Sequence, residues 1–272
     1  MKIGNREFDL KNQCYIMGIL NVTPDSFSDG GLWNEIGRAR EHTARMIEDG
    51  AAIIDIGGES TRPGHVQITV QEEIDRVVPM IRMVKENFDI PVSIDSYKGE
   101  VVAAALEAGA DLVNDIWGLK YDYRVAQLIA EHGVPCCLMH NRQAPAEDHF
   151  LEAVSQDLRE TLAIAKKAGI RDDQIILDPG VGFGKTYEQN LEIIHHLEVL
   201  TELGYPVLLA TSRKSVIGLS LDLPSDERVE GTVVTTVMGV EQGCSFVRVH
   251  DVKENMRAIQ MTQSILEGKK HV

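Results

Sequence analysis

The fold is indicated most directly by Val207-Leu-Leu-Ala-Thr-Ser-Arg-Lys214 and by a later stretch of the same kind, Phe246-Val-Arg-Val-His250. Each is a short apolar run typical of a buried strand, and each ends in cationic or hydroxyl side chains. Successive side chains of a strand point to opposite faces, so Arg248 and His250 lie on the same face. The chain has a formal net charge of -15. On so acidic a protein, two cations at one strand end predict a ligand that is anionic or planar.

The same unit, an apolar strand followed by an amphipathic helix, repeats eight times along the chain. The predicted strands cover residues 14–22, 53–57, 92–95, 112–116, 135–139, 175–178, 207–211 and 246–249. The predicted helices cover residues 35–48, 69–87, 99–108, 123–132, 147–168, 187–203, 226–242 and 252–267. Glycines fall between most helices and the next strand, which is where helix C-terminal glycines belong.

Eight such units favour a (β/α)8 TIM barrel, because parallel strands need helical crossovers and a barrel of this kind typically has about 250 residues. The 272 residues are then one domain, 1–272. The segment 1–10 carries Gly4-Asn5 between short mixed runs and predicts a hairpin that closes one end of the barrel. An open doubly wound sheet is the alternative, although it requires no particular number of units.

The composition restricts the partners that the chain is expected to bind. The negative charge argues against nucleic acid and against anionic membranes, and no apolar run approaches the roughly 18 residues of a membrane span. The first ten residues are polar, which predicts no signal peptide. The four cysteines form no Cys-x-x-C pattern and lie mostly in apolar runs, which predicts buried thiols and a cytoplasmic location.

Polar residues follow every predicted strand at the same end. In a TIM barrel the ligand lies at the carboxyl ends of the strands, so these residues should converge. Any one of them could be a helix cap or a turn former. Together they predict a site built from Asn21, Glu59 to Arg62, Asp95, Asn114, Asp115, His140, Asp178, Lys214, Arg248 and His250. His140 is more typical of a packed rim histidine than of a catalyst.

The residue types describe the ligand. Carboxylate and amide groups of Asp95, Asn114 and Asp178 can pair with the donor and acceptor edge of a heteroaromatic ring such as an aminopyrimidinone. The guanidinium of Arg248 can lie over a flat ring. The sequence therefore predicts a planar, nitrogen-rich ligand.

A second group predicts an anion next to that ring. Asn21, Arg248 and His250 make a pocket suited to a phosphate-type group, and Lys214 and Arg62 add positive charge near the mouth. A nucleotide P-loop is excluded, because the Gly-Lys-Thr ending at Thr186 requires a glycine where Pro179 stands. The long loop 23–31 after the first strand predicts a lid.

Several motifs occur in one order along nearly the whole chain and closely resemble the dihydropteroate synthases of the bacterial folate pathway. They are Met17-Gly-Ile-Leu-Asn-Val-Thr-Pro-Asp-Ser-Phe-Ser-Asp-Gly-Gly31, Asp55-Ile-Gly-Gly-Glu-Ser-Thr-Arg-Pro-Gly64, Ser93-Ile-Asp-Ser96, Asn114-Asp-Ile116, Leu177-Asp-Pro-Gly180, Thr211-Ser-Arg-Lys-Ser215 and Arg248-Val-His250. The resemblance implies a β/α barrel that condenses 6-hydroxymethyl-7,8-dihydropterin diphosphate with 4-aminobenzoate and releases diphosphate.

The resemblance also implies roles for individual residues. Asp95, Asn114, Asp178 and Lys214 would bind the polar edge of the pterin, and Arg248 would stack on its ring. Asn21, Arg248 and His250 would receive the diphosphate, with Mg2+ at Asn21. Thr61, Pro63, Phe183 and Ser215 would shape the aminobenzoate pocket.

The implied mechanism is SN1-like, with diphosphate leaving before the amine attacks. Asp29 would then stabilise the cationic pterin methylene, and Arg62 would help to close over the reactants. The family resemblance also suggests a homodimer. Three alternatives stay open: a pterin-binding methyltransferase module, a Schiff-base aldolase using Lys214, and a ligand-binding protein without catalysis. The aldolase is disfavoured because a nucleophilic lysine should be desolvated, whereas Lys214 is expected in a loop.

Overall fold

The computed structural model of the protein describes residues 1–22, 31–60, 66–146 and 148–268. Its strands are β1 Lys2–Ile3, β2 Arg6–Glu7, β3 Tyr15–Asn21, β4 Ala51–Gly57, β5 Val92–Asp95, β6 Leu112–Asp115, β7 Cys136–Met139, β8 Ile175–Asp178, β9 Leu208–Leu209 and β10 Phe246–Val249. Its helices are α1 Gly31–Glu48, α2 Val70–Asn87, α3 Gly99–Glu107, α4 Tyr123–His132, α5 Phe150–Ala168, α6 Tyr187–His195, α7 Glu198–Thr201, α8 Ser215–Leu221, α9 Val229–Glu241 and α10 Val252–Glu267.

Strands β3 to β10 form one parallel sheet that closes on itself. Their order is β8-β7-β6-β5-β4-β3-β10-β9, so neighbours in the chain are neighbours in the sheet. The two ends of this order meet through a bridge between Leu177 and Val207 and a hydrogen bond from Leu177 N to Pro206 O of 2.9 Å. The TIM barrel is confirmed, since a doubly wound sheet would reverse its strand order midway.

The interior of the barrel is apolar at its amino-terminal end. Alternate residues of the strands point inward and pack into one buried cluster, which contains Met17, Ile53, Leu112, Cys137, Ile176, Leu208 and Phe246. Ile3 and Phe8 belong to the same cluster, and the rings of Phe8 and Phe246 lie 5.8 Å apart. The antiparallel β1–β2 hairpin therefore closes this end of the barrel, as predicted.

The same alternation positions the site. Two residues beyond the apolar layer, the inward positions are occupied by Asp55, Asn114, Asp178 and Arg248. A polar layer thus lies above the apolar layer, at the carboxyl end of the strands. Both layers arise because every second residue of a strand points into the barrel.

Several predicted helix boundaries were wrong. The predicted helix 187–203 is two helices, because His196 leaves helical geometry with φ -121° and ψ 54°. The side chain of Gln242 stabilises this break by accepting from Leu197 N at 2.9 Å and donating to Ile194 O at 2.9 Å. A distant amide thus replaces the backbone hydrogen bonds that the helix loses.

The remaining differences concern the ends of strands and helices and one extra helix. The predicted strand 207–211 is only β9 Leu208–Leu209, and the predicted strand 53–57 begins at Ala51. Helix α1 begins at Gly31 instead of residue 35, and α5 begins at Phe150 instead of residue 147. The predicted helix 226–242 begins with a 3-10 turn at Ser225–Glu227, and α9 starts at Val229. Helix α8 was not predicted, since its seven residues are too few to give a clear helical period.

Candidate active site

Arg248 lies at the centre of the polar layer and joins two carboxylates. Its Nε donates to Asp55 Oδ2 at 2.6 Å and its Nη2 donates to Asp95 Oδ2 at 2.7 Å. The three side chains come from β10, β4 and β5, and the carboxylates are 0% and 9% exposed. Burial opposes the charge on Arg248, but the neighbouring carboxylates outweigh it and raise the pKa of the guanidinium. The guanidinium is therefore fixed and charged.

Asp55 was not among the predicted site residues. Besides Arg248, its Oδ2 accepts a hydrogen bond from Asn114 Nδ2 at 3.3 Å. The signal was present in the sequence, because a carboxylate in the apolar run Ile53-Ile54-Asp55-Ile56 must find a partner when the strand is buried. Asp55 orients both the predicted ring-stacking residue and one predicted ring-binding residue.

The polar layer has more hydrogen-bond acceptors than the protein fills. Within the described residues, Asp55 Oδ1, Asp95 Oδ1 and Ser93 Oγ are buried and have no hydrogen-bond partner. Burial raises the pKa of Asp95 to about 7, although Arg248 lowers it. Buried polar atoms are nearly always hydrogen-bonded in folded proteins, so these acceptors indicate a ligand that brings N–H donors.

Asp178, Lys214 and Phe183 lie on the neighbouring side of the site. Asp178 Oδ1 accepts from Gly180 N at 2.7 Å, and burial raises the pKa of this carboxyl group. Lys214 Nζ donates to Val181 O at 2.6 Å and lies 4.8 Å from the centre of the Phe183 ring. Three of the predicted substrate-binding residues are thus brought together.

Two other strand-end carboxylates are structural. Asp115 accepts from Trp117 N at 2.8 Å and from Leu119 N at 2.7 Å, so it fixes the turn after β6. Glu59 accepts from Tyr97 Oη at 2.5 Å and from Lys98 Nζ at 2.7 Å. Both were predicted only as members of the polar rim, and both stabilise the segments that follow their strands.

Asn21 and His250 lie at the mouth of the barrel, where they line one cavity of about 400 Å3. Asn21 pairs with Gly57, whose missing side chain leaves space between Asn21 and Asp95. His250 Nδ1 lies 2.9 Å from Ser212 Oγ, and this hydroxyl also accepts from His250 N at 3.1 Å. The cavity is also lined by Arg38, His42 and Arg45 of α1.

The remaining predicted site residues either lie elsewhere in the structure or fall outside the described residues. Ser215 is exposed at the start of α8 and lines a different cavity together with Leu219 and Arg228. Asp29, Thr61, Arg62 and Pro63 lie outside the described residues, and so does most of the loop 23–31 that was predicted to be a lid. His140 is buried and bonded to Asp157 and Lys185, as a rim histidine would be.

A metal would find few protein ligands here. The described part of the chain holds no group of three or more histidine, cysteine, aspartate or glutamate residues arranged to bind one. The amide oxygen of Asn21 is a hard, neutral ligand of the type Mg2+ accepts when substrate phosphates and water supply the remaining positions. Asn21 could therefore serve as one protein ligand of a magnesium ion.

The family model described as pterin binding enzyme matches residues 17–250. A dihydropteroate synthase of Clostridium beijerinckii is 59% identical over 98% of this chain and 99% of its own length. The chain belongs to the dihydropteroate synthase family of pterin-binding enzymes.

Solved structures of the dihydropteroate synthase family agree with this assignment. One from Clostridium difficile, determined in the presence of pteroic acid, has a TM-score of 0.93 and 48% identity and covers 95% of this chain and 99% of that one. One from Xanthomonas albilineans with 4-aminobenzoic acid has a TM-score of 0.89 and 40% identity, with 94% of each chain covered. These similarities over whole chains favour the synthase over the methyltransferase alternative.

The structure corrects one argument against the aldolase alternative. Lys214 was expected to be solvated in its loop, but burial lowers the pKa of its ammonium to about 8 despite the opposing effect of Asp178. Its amine is nevertheless committed to the carbonyl of Val181, and family membership assigns the chain to transferase chemistry. Desolvation alone is therefore not evidence of a Schiff base.

We predict that Asp55→Asn destabilises the protein by about 3 kcal/mol, because it removes one partner of a buried ion pair. The melting temperature and urea unfolding measure this effect. Ser93→Ala is the matched control, since it also removes a buried polar atom but breaks no hydrogen bond within the described residues. Equal stability of Asp55→Asn and the wild type would show that Asp55 does not hold Arg248.

Proposed function

We propose that this site joins 6-hydroxymethyl-7,8-dihydropterin diphosphate to 4-aminobenzoate, forming 7,8-dihydropteroate and diphosphate. The observation that carries the proposal is the set of unfilled buried acceptors around Arg248. The aminopyrimidinone edge of a pterin supplies the N–H donors that these acceptors lack. Related structures obtained with pteroic acid and with 4-aminobenzoic acid support the same pair of ligands.

The pterin would bind within the polar layer. Asp95 and Asp55 each offer one unfilled carboxylate oxygen, and the amide oxygen of Asn114 is directed by the bond from its nitrogen to Asp55. Asp178 and Lys214 would complete the edge, and the fixed guanidinium of Arg248 would lie against the ring. Binding would thus replace missing hydrogen bonds instead of competing with existing ones.

The diphosphate would lie towards the mouth, near Asn21, Arg248 and His250. We propose the tautomer of His250 in which the O–H of Ser212 donates to Nδ1, while Ser212 Oγ accepts from His250 N. The ring proton is then on Nε2, where it can be donated to a phosphate oxygen. Arg248 and His250 would stabilise the negative charge that develops on the leaving group.

Mg2+ is the proposed companion of the diphosphate, with Asn21 as its protein ligand. When bound, it would neutralise part of the charge on the leaving oxygens. The residues of the chain would bind the pterin ring, hold the diphosphate and position the amine.

The proposed reaction is SN1-like. The C–O bond of the pterin methylene breaks and its electron pair leaves with the diphosphate. The neutral aniline nitrogen then forms the new C–N bond and loses a proton to diphosphate or water. A carbocation reacts with a neutral amine, so no strong base is required, and Asp29 and Arg62 keep their predicted roles of stabilising the cation and closing over the reactants.

The aminobenzoate pocket is proposed to use Phe183, Thr61, Pro63 and Ser215. Of the two described members of this set, Phe183 lies beside Lys214, whose Nζ is 4.8 Å from the centre of its ring. Its ring supplies an apolar wall against which an aromatic amine can pack. Ser215 would contribute from the start of α8, directly after Lys214.

A homodimer is proposed from the surface of α8, α9 and α10. Exposed large apolar side chains are concentrated there, namely Leu219, Leu221, Val234, Met261, Ile265 and Leu266. Exposed apolar side chains concentrated on neighbouring helices are typical of interfaces between proteins.

A cytoplasmic location remains part of the proposal. All four cysteines are free and buried, as a reducing compartment allows. No helix in the described part of the chain is long and apolar enough to cross a membrane.

The central experiment supplies the protein with both substrates and measures diphosphate release. We expect release that depends on aminobenzoate and that stops when Mg2+ is chelated. Arg248→Ala should weaken the binding of both the pterin and inorganic diphosphate. No aminobenzoate-dependent release by the wild type would refute the proposed activity, and unchanged pterin affinity of Arg248→Ala would refute its stacking role.

The cavity beside His250 generates a second prediction. Arg38 and Arg45 line it and form no ion pair with another described residue, so they are available to attract the diphosphate. Arg38→Gln and Arg45→Gln should each raise the KM for the pterin diphosphate about threefold at low salt, and less at high salt. Arg40→Gln, an exposed position of α1 that does not line the cavity, is the control. Equal effects at all three positions would indicate a general charge effect only.

The dimer is tested by sedimentation equilibrium. Val234→Glu introduces a charge into the apolar surface of α9 and should shift the protein to a monomer. Tyr123→Glu on α4 is a comparable change at an exposed residue on the other side of the barrel, and it should leave the dimer intact. A monomeric wild type would contradict the proposed interface.

A further inference from the structure

Lys185 is a partly buried lysine that the proposed mechanism does not use. Its Nζ donates three hydrogen bonds, to Gly180 O at 2.9 Å, to Phe183 O at 3.0 Å and to His140 Nδ1 at 2.8 Å. Burial lowers the pKa of Lys185 to about 7, and in the charged form all three of its donors are committed to these bonds. Lys185 therefore joins two carbonyls of its own loop to the end of β7.

The other end of this link is also anchored. His140 Nε2 lies 3.0 Å from Asp157 Oδ2, and that oxygen also accepts from Arg142 Nε at 2.5 Å. Burial and the Lys185 cation lower the pKa of His140 to about 3, so the ring is neutral. Its Nδ1 accepts from Lys185 and its Nε2–H donates to Asp157. A continuous chain of hydrogen bonds thus runs from the loop to α5.

The loop after β8 lies directly on the segment that follows β7. Gly180 has φ +69°, and a Cβ on it would be 1.9 Å from His140 O. Gly184 has φ +53°, and a Cβ on it would be 2.2 Å from Arg142 O. Glycine at these two positions allows the close backbone contact, and Lys185 supplies the polar bonds that hold it.

Phe183 is consequently held from two sides. Lys185 binds its carbonyl oxygen, while Lys214 lies over its ring and binds the carbonyl of Val181 in the same loop. We infer that Lys185 is a positioning residue that fixes the Phe183 wall for the aromatic amine substrate. It acts through the loop and touches no substrate. The inference rests on the proposed function in assigning Phe183 to the aminobenzoate pocket.

The chemistry predicts an effect confined to one substrate. The pterin residues Asp55, Asp95 and Asn114 are on strands. Asp178 and Lys214 do bond to the loop, at Gly180 N and Val181 O, but neither of these bonds is made by Lys185. Loss of Lys185 should therefore raise the KM for aminobenzoate and leave the KM for the pterin diphosphate nearly unchanged. A residue needed only for folding would alter both constants or the amount of active protein.

The experiment uses Lys185→Met, which keeps a long side chain but removes the donors. We expect the KM for aminobenzoate to rise about tenfold, as for the loss of hydrogen bonds from a charged group, with the KM for pterin diphosphate within about twofold of wild type. Lys167→Met, an exposed lysine of α5, controls for the lost charge. Parallel increases in both KM values would overturn the inference.

Two substitutions of His140 test the same link from its other end. His140→Asn keeps an acceptor close to the position of Nδ1 but loses the bond to Asp157, whereas His140→Leu removes both. His140→Leu should reproduce the aminobenzoate effect of Lys185→Met, and His140→Asn should restore most of the affinity. Equal defects in the two variants would show that Lys185 does not act through His140.

Hydrogen exchange of residues 179–186 in the ligand-free protein gives a readout that needs no catalysis. Lys185→Met should exchange faster in this segment alone, with unchanged protection in β3 to β6. If the wild type lacks synthase activity, the proposed function fails while this measurement still judges the anchoring. Unchanged exchange in Lys185→Met would reject the positioning role.

Discussion

The ion-paired guanidinium of Arg248 is the interaction on which the site depends. It joins β10 to β4 and β5 through Asp55 and Asp95, across the interior of the barrel. A slip of one residue in any of these strands would turn its charged side chain out of the barrel and leave a buried partner uncompensated. The pairing therefore fixes the strand register and the arrangement of the site together.

The polar layer has more buried hydrogen-bond acceptors than donors of the protein that fill them. Asp55, Asp95 and Asp178 face Arg248 and Lys214, and acceptor oxygens remain unfilled. Burial shifts the pKa of Asp95 up to about 7 and that of Lys214 down to about 8, so both groups are held in an unfavourable environment. Unmade hydrogen bonds of buried groups cost stability, and a ligand that supplies donors recovers that cost on binding. Recognition of a donor-rich ring follows from this deficit.

The sequence predicted the barrel because its signal is repeated eight times, and the errors lie where the determining contact is far away. The break before Leu197 depends on Gln242, a residue that no local pattern links to that helix. Predicted site residues on strands converged as expected, since barrel geometry fixes the rim to which each strand delivers its last side chain. Ser215 did not join them, because it begins a short helix that the sequence pattern did not show. The role of Lys185 was not predicted, because two of its three partners are backbone carbonyls, which every residue has and which no sequence pattern identifies.

The two halves of the site are stabilised in different ways. In the proposed site, strand residues make up most of the pterin half, where the closed sheet sets each backbone position. Loop residues make up part of the proposed aminobenzoate half, and a loop holds a defined shape only where specific bonds replace the sheet. In the loop after β8 those bonds are the contacts of Lys185 and Lys214 with three of its carbonyls. A substitution in this loop that spares its bonds to Asp178 and Lys214 can therefore alter the binding of the aromatic amine while most of the pterin half keeps its geometry, because Asp55, Asp95, Asn114 and Arg248 are held by strands and by one another.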